Sequence, residues 1–102
     1  MKNDLTARLA LLAAQQTTLG YGALARALGW RMGDLTAALE ALMAEDAAAG
    51  QPLRAVLVTA RLTPGMPAAG FFLKAQELGV FDGADPAAFV QGQREKLFRL
   101  RD

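Results

Sequence analysis

The sequence predicts an α+β fold that is mostly α: a winged helix-turn-helix with a small antiparallel sheet and an extra C-terminal helix. Three observations lead there. A short amphipathic segment at 21–28 ends at Gly29, and a longer one follows it to about Ala48, which is the proportion of a helix-turn-helix. An apolar, β-branched run at 53–59 then reads as a buried strand. Thr63-Pro64-Gly65 reverses the chain, as a wing requires.

Along 4–16, Leu5, Leu9 and Leu12 recur at helical spacing with Leu11 beside them. Asn3 or Asp4 is placed to cap that helix. Gln15, Gln16, Thr17 and Thr18 end it and lead into a short extended piece. In the second helix, 21–28, Leu24 and Leu28 share one face, and Gly29 supplies the left-handed residue that stops helices. Residues 30–33 form a tight connection. The third helix is expected to start near Asp34 as N-cap and to carry Leu35, Leu39, Leu42 and Met43 inward. Gly50 and Pro52 terminate it.

Proline presets the second position of the 63–65 turn, and glycine permits positive φ at the third, which gives a type II turn. Residues 66–70 read as loop or a ragged second strand. A short helix over 71–78 closes at Gly79, and the Phe71-Phe72 pair is packing. Asp82-Gly83 marks a turn. Asp85 then caps a final helix, with Pro86 in its first turn. That helix, 85–100, turns Phe89, Val90, Leu97 and Leu100 inward, and its Arg94, Lys96, Arg99 and Arg101 complement the helix dipole. The chain is thus expected to be one domain, 1–102, with its core at 4–79.

Composition limits the chemistry. A chain of 102 residues supplies one domain's worth of core. It has no cysteine and no histidine, which removes disulfides, thiolate metal sites, cysteine nucleophiles and the usual general base. The acidic residues are scattered along helices, so the expectation is a non-catalytic protein with no cofactor and no metal. No apolar run approaches the roughly 20 residues of a membrane span. The N-terminal segment holds Asp4 and Arg8 within its apolar pattern and reads as an amphipathic helix of a cytoplasmic protein, not as a leader.

In a helix-turn-helix, the start of the longer helix enters a DNA groove. The candidate DNA-binding residues are therefore Tyr21, Arg26, Arg31, Thr36, Ala37 and Arg61. Arg31 precedes the third helix, Thr36 and Ala37 lie in its first turns, and Arg61 adjoins the wing around 61–66. Charge argues the other way. The net charge is +1, and Gly33 to Gly50 holds no Lys or Arg but has Asp34, Glu40, Glu45 and Asp46.

The stretch Gly20-Tyr21-Gly22-Ala23-Leu24-Ala25-Arg26-Ala27-Leu28-Gly29, with the later Gly65 to Gly79 segment carrying Gly70, Lys74 and Leu78, resembles the DNA-binding winged helix of O6-alkylguanine DNA alkyltransferases and their alkyltransferase-like relatives. The resemblance covers about residues 17–79 and implies the winged-helix fold. It does not carry the activity. Where that family has a Pro-Cys-His-Arg-Val segment, this chain reads Pro52-Leu53-Arg54-Ala55-Val56. The family's recognition helix also holds an arginine that props open the base stack, and none occurs between Gly33 and Gly50. The expected function is a bacterial-type winged-helix protein that binds double-stranded DNA, as a transcriptional regulator does. The alternative is a protein-interaction module or homodimer that uses the Ala-rich third helix and the last helix.

Overall fold

The computed structural model describes residues 2–99. Their elements run α1 (Lys2–Ala14), β1 (Leu19–Gly20), α2 (Tyr21–Leu28), α3 (Met32–Ala48), a 3-10 turn (Arg54–Leu57), β2 (Val58–Thr59), α4 (Ala69–Glu77) and α5 (Pro86–Arg99). The fold is α-rich with one small sheet. Leu100 and Arg101 lie outside the described residues.

Local signals set most helix boundaries. Gly29 takes φ 71 after α2, with its N–H on the Arg26 carbonyl and the Trp30 N–H on the Ala25 carbonyl. That is a Schellman ending, and α2 and α3 pack against each other across it. The same hydrogen-bond pattern closes α1, but there the left-handed residue is Gln16, at φ 54. α1 therefore ends at Ala14. At its other end α1 extends back to Lys2, which puts Asp4 inside the first turn and not at a cap. α3 likewise starts earlier than expected. Arg31 is its N-cap, and Asp34 sits in the first turn. Both acidic residues still complement the positive end of the helix dipole. α5 starts as the sequence implies, with the Asp85 Oδ1 accepting the Ala88 N–H at 3.1 Å.

Two expectations about the sheet are corrected. β1 and β2 are parallel, paired Leu19 to Val58 and Gly20 to Thr59. The cause is topological: α2 and α3 lie between them, and a crossover of that length returns the chain in the same direction. The 53–59 run is not a continuous strand. Residues 54–57 form the 3-10 turn, and β2 alone remains extended. No second wing strand follows at 66–70, because α4 begins at Ala69; an isolated antiparallel bridge joins Ala60 and Thr63.

The 3-10 turn stands in the middle of the molecule, between α1, α3 and α5, with Leu53, Ala55, Val56 and Leu57 buried. A buried turn must find partners for its backbone groups. Three side chains from other helices supply them. Gln93 Oε1 accepts the Leu53 N–H at 2.7 Å, and Asp46 Oδ2 accepts the Arg54 N–H at 3.0 Å. Arg94 donates through Nε to the Val56 carbonyl at 3.0 Å. Around the turn close Leu5, Leu9 and Leu12 of α1, Leu24 of α2, and Leu35, Leu39, Leu42 and Met43 of α3. Val90 and Leu97 of α5 belong to the same cluster, so the last helix is part of the core and not an appendage to 4–79.

A second group of side chains fills the space between α4 and α5. Phe71 meets Phe72 edge-on at 5.2 Å, and Phe81 stacks on Phe89 at 4.5 Å. Such aromatic pairs add to area burial alone. The Phe71-Phe72 pair is thus packing, as expected. No helix among the described residues is long and apolar enough to cross a membrane.

Candidate functional site

A groove of about 1020 Å³ opens between the start of α2, one side of α3, the 59–63 segment and the start of α4. Tyr21, Arg26, Thr36 and Arg61 all line it. Three separate stretches of chain thus bring four of the six sequence-predicted residues together. Arg31 and Ala37 are exposed but do not line the groove.

Arg26, Arg31 and Arg61 are exposed, and among the described residues none of them makes an ion pair or a side-chain hydrogen bond. The Arg26 guanidinium bends back over Gly22, where Nη1 lies 3.5 Å from the position a Cβ would take. Gly20, two residues earlier, pairs with Thr59, and Arg61 is two residues beyond Thr59. Both arginines line the groove, one from α2 and one from the segment that follows β2.

Tyr21 is half-buried in the wall. Burial pushes its hydroxyl pKa above the ordinary value of 10.0; the nearby Glu40 charge raises it further, while the Ala68 backbone opposes the shift. It therefore stays a neutral hydrogen-bonding phenol at neutral pH. Thr36 departs from its expected role. Its hydroxyl donates to the Met32 carbonyl at 3.0 Å, one turn back on its own helix, and is not offered outward to a base edge.

The groove floor is apolar, with Leu39, Met43 and Phe71 at its base. Apolar side chains also stand at its lips: Met32 is 47% exposed and Leu62 is 92% exposed. The sequence reading missed this surface. The available signal was a leucine beside Arg61 inside a turn segment, where no local partner covers it.

The loop that carries Arg61 and Leu62 is tied down. The Met66 N–H closes the turn on the Thr63 carbonyl at 2.9 Å with Gly65 at φ 80, as a type II turn requires. The Ala60 N–H reaches the Met66 carbonyl at 2.8 Å. Arg94 then holds the turn from outside, donating through Nη1 to the Gly65 carbonyl at 2.9 Å. Arg94 thus serves the turn in addition to the dipole role expected of it, while Lys96 and Arg99 remain exposed. Its burial lowers its pKa.

The acidity expected of α3 is also reduced. Asp46 is buried, and its carboxylate is paired with Arg54, whose Nη2 lies 2.8 Å from Oδ1. Asp34 is exposed and Glu40 lines the groove, so these two bear on the site's charge. Leu53, where the resembled family has its reactive cysteine, is buried in the core. Among the described residues no group of three or more carboxylates is placed to hold a metal ion. No protein-family model, no curated protein and no solved structure matches the chain.

Proposed function

We propose that the chain is a non-catalytic winged-helix module that binds duplex DNA, presenting the first half of α3 and the wing loop 61–66. One observation carries this reading: Tyr21, Arg26, Thr36 and Arg61, distant in sequence, border one open groove, and among the described residues neither arginine has a partner for its guanidinium. Two features add support. α2 and α4 both begin at this groove without a side-chain cap, and the positive ends of their helix dipoles favour a phosphate there. Arg31, at the N-cap of α3, adds a third guanidinium without a partner among the described residues.

Charge bounds the strength of binding. Three arginines face the opposition of Asp34 and Glu40, and Thr36 spends its proton on its own helix. Binding therefore rests on phosphates, with weak discrimination among sequences. Three phosphate contacts correspond to a slope of roughly −2.7 in log K against log salt.

Anisotropy titration of a labelled duplex at low salt tests the reading. The expected result is a complex with Kd of about 1–10 µM that weakens steeply with salt. The R26A/R31A/R61A variant is expected to lose that complex while its stability stays within about 0.5 kcal/mol of the parent, since all three side chains are exposed. No complex at tens of micromolar protein, or one indifferent to salt and to the three substitutions, overturns it.

A further inference from the structure

Phosphate contacts account for the arginines but leave the apolar floor without a role. A sugar-phosphate strand gains little from Leu39, Met43 and Phe71. A groove of about 1020 Å³ with a few polar groups at its edge has the size and character of a small-molecule site. We infer that the groove binds a free amphipathic carboxylic acid, its apolar body on Leu39, Met43 and Phe71 and its carboxylate on Arg26 and Arg61, and that this ligand competes with DNA. The inference rests on the DNA reading for the competition alone; the ligand site stands without it.

Charge complementarity selects the occupant. Arg26 and Arg61 both line the groove and are unpaired among the described residues. Glu40, on the α3 wall, is the one carboxylate among the described residues that lines the groove, so two guanidinium groups outweigh it. A cation would meet that excess, and a neutral apolar molecule would leave it unused. The chemistry therefore calls for an acid with an apolar tail. The neutral Tyr21 hydroxyl adds a donor beside the carboxylate. Leu62 at the lip supplies apolar area to a bound tail. Occupancy would place the carboxylate on guanidinium groups that the DNA complex also needs, so each ligand lowers the affinity for the other.

Decanoate, below its micelle concentration, is the probe, with 1-decanol as its uncharged counterpart. Calorimetry of the full chain is expected to give one site with Kd in the tens of micromolar. 1-Decanol should bind about tenfold more weakly, and R26A/R61A should weaken decanoate about tenfold and leave 1-decanol unchanged. Amide shifts in a nitrogen-15 spectrum should be confined to 20–26, 36–43, 59–63 and 68–71. The inference is overturned by equal affinity for decanoate and 1-decanol, by indifference to the two substitutions, by several weak sites, or by a concentration-dependent dimer that covers the groove. In a separate arm, decanoate should displace labelled duplex from the parent chain. Decanoate binding without any duplex complex removes the DNA reading and keeps the ligand site, whereas duplex binding with no decanoate site does the reverse.

Discussion

The two sides of this molecule treat their charged groups in opposite ways. Around the 3-10 turn, the polar side chains have partners. Asp46 takes the Arg54 backbone and guanidinium together, Gln93 takes the Leu53 N–H, and Arg94 spans from Val56 to Gly65. Around the groove, Arg26, Arg31 and Arg61 have none among the described residues, and Met32 and Leu62 are left uncovered. The first region is what holding a fold together looks like, because a buried polar group must be matched. The second gains nothing for folding from its free charges. Substitutions should therefore separate cleanly: those on the turn side cost stability, and those on the groove side cost binding.

Asp46→Ala tests the first half of that comparison most severely. It strips the Arg54 guanidinium and the Arg54 N–H of their acceptor inside the core. Breaking a buried pair costs about 3–5 kcal/mol, but Arg54 keeps 31% exposure and recovers some hydration. A loss of about 2–3 kcal/mol is expected from urea unfolding. Duplex and decanoate affinities per folded molecule should not move. A variant that unfolds as readily as the parent would place the turn's support elsewhere.

Arg94→Met should cost less, and it probes the seam between the two regions. Two hydrogen bonds from a charged donor are lost, a cost of about 1–2 kcal/mol after partial exposure is allowed for. Part of that returns, because Arg94 Nη2 is buried without a partner among the described residues. The larger consequence should be local. Hydrogen exchange at the Ala60 and Met66 amides should speed up while amides in α3 keep their protection. Equal acceleration in both places would mean that Arg94 stabilises the whole fold and does not specifically brace the 60–66 loop.

What was legible in the sequence follows the same division between local and distant partners. Gly29, Gly79, the Thr63-Pro64-Gly65 turn and the Asp85-Pro86 start are decided within a few residues, and each is found where expected. The 53–59 run misled, because an apolar segment of that length fits any buried extended or turn conformation. What makes its first part a 3-10 turn is three side chains, from α3 and α5, that satisfy its backbone; no local pattern announces them. The direction of the sheet was missed for a related reason, since it depends on where two intervening helices return the chain. The candidate residues fared unevenly. Tyr21, Arg26 and Arg61 share a groove, whereas Thr36 turns its hydroxyl to its own helix and Arg31 and Ala37 lie outside. Spacing places residues on faces, but it does not tell what closes over them.

The smallest expected effect belongs to Tyr21, the groove's half-buried ionisable wall. Burial and Glu40 keep its phenol protonated in the folded chain beyond the pH at which an unfolded chain releases that proton. Its contribution to stability is therefore complete below pH 10 and falls as pH rises from there through the raised folded value. The parent should lose stability on the alkaline side by more than Tyr21→Phe does, with other titrating groups common to both. Tyr21 is the chain's one tyrosine, so its phenolate absorbance reports this site alone. Decanoate seated on Arg26 and Arg61 would put a second negative charge beside the phenol and move the midpoint further up. A titration curve indifferent to decanoate, in a chain that binds it, would place the carboxylate away from this wall and leave the free arginines without the ligand proposed for them.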